Sequence, residues 1–338
     1  MMRRSVLLNL IRVLVYVNVL GVVMIAIAAK AQPPKPLELV QTIPLPDVRG
    51  RIDHLAVDLD GERLFVAALG NDSVEVIDLR AGRRSARIEH LQEPQGVAYI
   101  TEVKRLFVAN GRSGRVDVFA GPELATAGYV DGLNDADNLR YDQDTGQVYA
   151  GYGSAVAVID ASTAKLVHQI KLAGHPESFQ LETKAARLFV NVPSAEQIAV
   201  IDRKKGSTVA TWTLNDLRAN FPMALDEHDH RLFVATRRPA ALLVYDTENG
   251  QRVARLPIGS DADDLFFDAK NKRIYAICGQ GVVDVVQQHD ADHYETAIQV
   301  ATSPGARTGL FVPSRNALYV AVPALAASPA EIRVYAVR

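Results

Sequence analysis

The chain has 338 residues, of which 48% are hydrophobic and 22% charged, and its formal net charge is -2. This composition supplies ample apolar surface for a large core, and it excludes both a disordered chain and a nucleic-acid footprint based on a global basic excess. A single cysteine, Cys278, excludes an intrachain disulfide and a paired-cysteine zinc or haem site.

Residues 1–31 differ from the rest of the chain. Arginines at positions 3, 4 and 12 precede an uncharged run over 13–29, and Ala29-Lys30-Ala31 has the small-x-small form of a signal-peptidase site. This layout predicts a signal peptide over 1–31, cleaved after Ala31, and a proline-rich linker over 32–36. A retained membrane anchor is the alternative, since a run of this length can just cross a bilayer. Both readings predict a periplasmic or secreted protein, in contact with a membrane only if the segment is retained.

The main feature of the remaining chain is a repeated segment, Arg-Leu-Phe-Val-Ala, first seen at 63–67. Close copies occupy 105–109, 187–191 and 231–235, and weaker copies begin at positions 147, 273 and 317. The steps between successive copies are 40–44 residues long. Seven copies at a period near forty, in β-rich sequence, predict a seven-bladed β-propeller.

The first repeat shows the four strands expected of one blade. We predict strands at 54–58, 63–68, 73–78 and 85–90, with an Asp-Gly pair at 60–61 that favours a tight hairpin. The second strand is apolar on consecutive residues, which is typical of a strand covered on both faces. The fourth strand is charged, as expected at an exposed edge. Each repeat is therefore expected to form a four-stranded antiparallel sheet.

Ring closure can also be predicted. The last repeat ends at its third strand, 331–337, and has no fourth strand of its own, whereas residues 37–43 form a spare strand before blade one. Pairing of these two strands would complete the seventh blade and close the ring. We therefore expect a single all-β domain over 37–338, a seven-bladed β-propeller closed by its N-terminal strand.

The repeat resembles that of YVTN-type (YncE-like) β-propeller repeat proteins. The segments that carry the resemblance are Leu-Phe-Val-Ala-Asn at 106–110 and Pro-Gln-Gly-Val-Ala at 94–98, and it extends over roughly 37–338. The resemblance implies seven blades, export and a binding role that is often unassigned. The repeat departs from this pattern in blades three, six and seven.

Candidate site residues lie where the loops entering the first strands converge on the central channel. We name the seven residues that share this position the mouth residues. They are Asp53, Gln95, Asp137, Glu177, Phe221, Asp263 and Arg307. Four of them are carboxylates, and His54 and His175 lie in the same loops. This pattern predicts a pocket for a small molecule or for a divalent cation, which prefers oxygen ligands. The alternative is a set of structural turns, since Asp favours such loops.

The predicted ligand-binding set combines six mouth residues with one neighbour. It consists of Asp53, His54, Gln95, Asp137, Glu177, Asp263 and Arg307. A second cluster is a weaker candidate for a transition-metal site, because imidazole and carboxylate suit several metals. It comprises His228 and His230 in the first hairpin turn of blade five, and His289 and His293 in a turn of blade six.

These features favour an exported binding protein or scaffold, monomeric, that uses the channel face for a small ligand, an ion or a partner protein. No residue is assigned a catalytic role. One alternative is a lactonase-type hydrolase, in which His54 or Glu177 would act as a base near Arg307. Another is single-stranded nucleic-acid binding, a property found within the resembled family. That function would need aromatic side chains interleaved with a basic groove, and the sequence lacks them.

Overall fold

The computed structural model describes residues 35–326 and 328–338. The predicted signal peptide or anchor at 1–31, and residues 32–34 of the predicted linker, lie outside the described residues. Within the described ranges, no helix has the length and apolar character that crossing a membrane requires.

Strands dominate the described chain. In chain order they are β1 Leu37–Leu45, β2 Leu55–Asp58, β3 Arg63–Ala68, β4 Ser73–Asp78, β5 Arg83–Ile88, β6 Pro94–Ile100, β7 Arg105–Asn110, β8 Arg115–Ala120, β9 Ala125–Val130, β10 Leu139–Asp142, β11 Gln147–Tyr152, β12 Ala155–Asp160, β13 Lys165–Lys171 and β14 Phe179–Leu181. They continue as β15 Arg187–Val192, β16 Gln197–Asp202, β17 Ser207–Thr213, β18 Arg218–Asp226, β19 Arg231–Arg238, β20 Ala240–Asp246, β21 Arg252–Pro257, β22 Ala262–Asp268, β23 Arg273–Cys278, β24 Val282–Gln288, β25 Tyr294–Ala301, β26 Thr308–Val312, β27 Ala317–Val322 and β28 Ala330–Val337. Short 3-10 helices follow strands at Leu69–Asn71, Pro193–Ala195 and Pro313–Arg315.

These strands form seven antiparallel sheets of four strands each. Blades one to six are β2–β5, β6–β9, β10–β13, β14–β17, β18–β21 and β22–β25, and blade seven consists of β26, β27, β28 and β1. The predicted fold, an all-β seven-bladed propeller, is therefore confirmed. Strand boundaries differ by one or two residues, as in blade one, where the fourth strand is 83–88 rather than 85–90.

The second strands are buried because neighbouring blades cover both of their faces. In β3, Phe65 and Ala67 pack with residues of blade two, including Val108. Leu64 and Val66 point the other way and pack with residues of blade seven, including Tyr319. The consecutive apolar residues of the repeat thus serve two different interfaces, and each blade stabilises both of its neighbours.

The ring closes through β1, as predicted. β1 pairs antiparallel with β28, from Leu37 opposite Val337 to Leu45 opposite Ala330. Ile43 and Leu45 are 1% and 0% exposed, in the core shared by blades one and seven. The N-terminal strand therefore fills the fourth position of the last blade.

We predict that Ile43→Ala lowers the free energy of unfolding by about 2–5 kcal/mol, because it leaves a cavity in the core that joins the two ends of the ring. The matched control is Thr42→Ala, the next residue of β1, whose side chain is exposed. We expect this change to cost less than about 1 kcal/mol. Urea unfolding followed by circular dichroism measures both. Equal costs for the two variants would show that β1 does not close the ring through this core.

Candidate functional site

The pairing registers of the first strands place the mouth residues in equivalent positions. In every blade the third residue of the repeat pairs with the residue three positions after the mouth residue, as Phe65 pairs with Ala56 and Tyr275 with Phe266. Backbone hydrogen bonds then join successive blades at the mouth. Three of them run from His54 N to Gln95 O (3.2 Å), from Ser178 N to Phe221 O (3.2 Å) and from Asp264 N to Arg307 O (3.1 Å). The mouth residues therefore lie in a ring at one end of the channel.

On one side of this ring, arginines compensate the negative charge of the mouth residue Asp263. The carboxylate of Asp263 lies 2.5 Å from Arg237 Nη2 and 3.0 Å from Arg307 Nε. Both arginines also contact Asp261, at 3.2 and 3.1 Å. The guanidinium of Arg237 stacks over the ring of Phe221 at 4.0 Å. Burial raises the pKa of Asp263 to about 7, although the two arginines oppose this shift.

His54 lies beneath the mouth between two carboxylates. Its Nδ1 is 3.3 Å from Asp264 Oδ1 and its Nε2 is 3.7 Å from Asp53 Oδ1. Asp264 also accepts a hydrogen bond from Gly309 N at 2.8 Å, and Asp53 forms an ion pair with Arg51. Burial opposes protonation of the imidazole, but the charge of Asp264 and its hydrogen bond raise the pKa of His54 to about 10. His54 is therefore a cation at neutral pH.

The other side of the ring carries two carboxylates without arginine partners. Among the described residues, no lysine or arginine nitrogen lies within 4.0 Å of Asp137 or Glu177. Within 4.0 Å the partner of Asp137 is the imidazole of His175, whose Nε2 is 4.0 Å from Asp137 Oδ2 and whose Nδ1 is 3.5 Å from Asp135 Oδ2. Burial, followed by repulsion from Asp137, raises the pKa of Glu177 to about 8. The mouth is thus electrostatically asymmetric.

The channel below the mouth contains a cavity of about 280 Å³. Its polar residues are His54, Arg140, Ser178, Gln180 and Asp264. The remaining wall is largely apolar and aromatic, and it includes Val57, Tyr99, Tyr141, Phe266 and Leu310. A charged mouth therefore leads into a space with one polar end and one apolar end, which is typical of a small-molecule pocket.

Arg140 is a site residue that the sequence analysis did not identify. Its Nη1 donates to Asn138 Oδ1 (3.2 Å) and Leu139 O (2.8 Å), and its Nη2 donates to Ser178 Oγ (3.3 Å). Burial lowers the pKa of this guanidinium. One feature of the sequence could have indicated it: Arg140 is a charged residue three positions after the mouth residue Asp137. The equivalent residues in the other blades are uncharged, namely Ala56, Ala98, Gln180, Ala224, Phe266 and Leu310.

The predicted set otherwise lies where expected, although its ligand binding stays a prediction. Gln95 bridges to the next blade, with Nε2 3.4 Å from Asp135 Oδ1 and from Ala136 O. Arg307 contacts Asp261 and Asp263. Among the described residues, Arg307 therefore pairs with these two carboxylates and not with Glu177.

The four histidines of the metal hypothesis lie in two adjacent turns. Arg231 joins the turns by donating to Ala291 O at 2.8 Å. Each imidazole is at least half exposed and pairs with a different carboxylate. The pairs are His228 with Asp229, His230 with Glu248, His289 with Glu295 and His293 with Asp290. Neither here nor at the mouth do the described residues include three or more His, Cys, Asp or Glu placed to hold a metal ion.

Sequence comparison connects the chain to a partly matching relative. No protein-family model matches it. It is 27% identical over 154 residues to the uncharacterized protein YncE of Salmonella typhimurium, and equally to YncE of Salmonella typhi. The match covers 44% of this chain and 44% of each relative, which is less than half of their length. The chain is thus a seven-bladed propeller that is similar to YncE over part of its length.

Several solved structures share the fold. Hydrazine synthase of Kuenenia stuttgartiensis aligns with a TM-score of 0.70 and 16% identity, covering 81% of this chain and 93% of that one. A chain of the mitotic checkpoint complex aligns at 0.75 with 13% identity, over 90% and 95%. The WD40 repeats of RRP9 align at 0.75 with 12% identity, over 89% and 100%. At these identities the likeness shows the fold alone.

The raised pKa of Glu177 predicts a pH-dependent cost in stability. Between pH 4.5 and about 8 the folded protein holds a proton that the unfolded chain has released. The stabilisation that protonated Glu177 contributes to the folded state is therefore fully present below pH 4.5, and it is lost as the pH rises through 8. Glu177→Gln removes this loss. We expect the free energy of unfolding of the variant, relative to that of the native protein, to rise by roughly 1–3 kcal/mol between about pH 5 and pH 9.

The control for this measurement is Glu102→Gln, which changes an exposed carboxylate far from the mouth. Its difference from the native protein should stay constant over the same pH range. Chemical unfolding at a series of pH values gives all three curves. A constant difference for Glu177→Gln as well would contradict the raised pKa of Glu177.

Proposed function

We propose that this YncE-like propeller is an exported binding protein whose channel mouth holds a small ligand through Asp137 and Glu177. The observation that carries the proposal is this pair of carboxylates. Among residues 35–326 and 328–338 the pair has no arginine partner within 4.0 Å, and it lies one or two positions before Ser178 and Leu139, which line the 280 Å³ cavity. Desolvation and repulsion from Asp137 both disfavour the charged form of Glu177. An ammonium or hydroxyl group placed between them would relieve both effects, so the ligand carries such a donor group.

The surrounding groups support binding rather than hydrolysis. His54 is held as a cation by Asp264, so it lacks the free nitrogen of a general base. Arg307 is engaged by Asp261 and Asp263, so it offers no free positive charge beside a base. These ion pairs fix the arginine side of the mouth and leave the acidic side for the ligand.

A partner protein is the second candidate for the same face. A chain of the same fold is part of the mitotic checkpoint complex. The loops around the mouth could present their charged side chains to a partner in a similar way. A partner protein and a small ligand would compete for Asp137 and Glu177, so binding of either one depends on this pair.

We predict that the double variant Asp137→Asn and Glu177→Gln weakens binding of phenethylamine at least tenfold. A charge-assisted hydrogen bond contributes about 1.5–3 kcal/mol, and 1.4 kcal/mol corresponds to a factor of ten in affinity. Saturation-transfer NMR with the native full chain measures the affinity. The matched control, Asp60→Asn with Glu102→Gln, neutralises two exposed carboxylates away from the mouth. Unchanged binding in the mouth variant, or no binding to the native protein, would overturn the ligand proposal.

Export is part of the proposal, supported by the layout of residues 1–31. We expect the protein recovered from the extracytoplasmic fraction of a bacterial host to begin at Gln32. Its intact mass by electrospray spectrometry provides the measurement. A full-length mass in the membrane fraction would instead support the retained anchor, and a full-length mass in the cytoplasm would contradict export.

A further inference from the structure

We infer that the cavity below the mouth binds a carboxylate through Arg140, so that the ligand is a small amphoteric molecule. Its ammonium group would lie at Asp137 and Glu177 and its carboxylate at Arg140, with an apolar body in the channel. The inference rests on the proposed function, because it names the ligand chemistry of the same site.

The first support is that Arg140 is a cation with neutral partners. Its three hydrogen bonds go to an amide, a backbone carbonyl and a hydroxyl, in Asn138, Leu139 and Ser178. Among the described residues, no carboxylate oxygen lies within 4.0 Å of its guanidinium. A partly buried cation without an anion in direct contact is costly. Burial lowers the pKa of Arg140, although the more distant charges of Asp264 and Asp137 oppose this shift.

The second support is the set of donors that Arg140 leaves unused. A guanidinium has five N–H donors, and Arg140 uses two on Nη1 and one on Nη2. One donor on Nε and one on Nη2 have no acceptor among the described residues. Two N–H groups of one guanidinium form the fork that binds the two oxygens of a carboxylate.

The third support is the balance of charge at the polar end of the cavity. Arg140 and His54 are cations, and Asp264 is the carboxylate that lines the same cavity. Asp264 is already occupied, because it contacts His54 at 3.3 Å and accepts from Gly309 N at 2.8 Å. Asp53 also lies 3.7 Å from His54 Nε2, so both nearby carboxylates contact His54. Among the described residues Arg140 has no carboxylate within 4.0 Å, and an anionic group of the ligand would supply one.

The spacing of the groups and the size of the cavity limit the ligand. The acceptors of Arg140 in Asn138 and Ser178 directly follow Asp137 and Glu177 in the chain, so the acidic pair and the guanidinium are close neighbours. The cavity, about 280 Å³, is larger than the roughly 150 Å³ that can hold benzene. These dimensions fit an amino acid with an apolar side chain of about one ring.

Three matched probes test this inference on the full chain. Phenylalanine carries both charges, phenethylamine the ammonium alone and 3-phenylpropionate the carboxylate alone. We expect phenylalanine to bind at least tenfold more tightly than either single-charge probe. Arg140→Gln should weaken phenylalanine and 3-phenylpropionate at least tenfold and leave phenethylamine within about twofold.

Two further variants keep the test interpretable. Arg83→Gln neutralises an exposed arginine of the outer strand β5 and should change none of the affinities. Arg140→Lys keeps the charge without the fork and should give intermediate affinities, which also covers the case that Arg140→Gln does not fold. Thermal unfolding of each variant confirms its folded state before binding is measured.

The outcomes separate the two proposals. If phenylalanine and phenethylamine bind with equal affinity, and Arg140→Gln changes neither affinity, the inference is overturned and the acidic pair remains as the ligand site. Binding of 3-phenylpropionate alone, lost in Arg140→Gln, would overturn the proposed ammonium contact and support a carboxylate site in the channel. Absence of binding by all three probes would overturn both.

Discussion

The pairing of β1 with β28 is the constraint on which the rest of the structure depends. Each blade buries its second strand under two neighbours, so an open ring would expose one face of blade one and one face of blade seven. Closure also fixes the channel. Thr308 of blade seven donates to Ile52 O of blade one at 3.2 Å, and His54 of blade one contacts Asp264 of blade six. The geometry of the mouth is thus a consequence of the same contact that completes the core.

The mouth shows how a fold with identical backbone positions can carry different chemistry. Asp263 and Glu177 occupy equivalent positions in blades six and four, yet Asp263 has two arginines at 2.5 and 3.0 Å and Glu177 has none among the described residues. The difference comes from the two adjacent blades, since Arg237 in β19 of blade five and Arg307 just before β26 of blade seven both contact Asp263. The repeat sets the positions, and single substitutions between repeats decide the local charge. Binding specificity can therefore change without a change in the blades.

Much of the fold could be predicted because the sequence pattern of each blade is local and is repeated along the chain. The apolar copies at a period near forty, and the unmatched strand at 37–43, indicate seven blades and their closure without any knowledge of contacts. The loop positions of the mouth followed from the same register. Arg140 could not be found in this way, because it lies within β10 and not in the loop that carries the mouth residue. The pairing of Arg307 with Asp261 and Asp263 depends on side-chain reach across two blades, which no spacing in the sequence encodes.

The position of β1 has a consequence for the timing of folding during synthesis. Its partner, β28, begins at Ala330, so β1 waits for nearly the whole chain to be translated before it can pair. At about 5–20 residues per second, translation from residue 45 to residue 330 takes roughly 15–60 s. During that interval the nascent chain contains an unfinished ring with one exposed face at each end. The core between blades one and seven is therefore the last blade interface that can form, after the other six interfaces are already available.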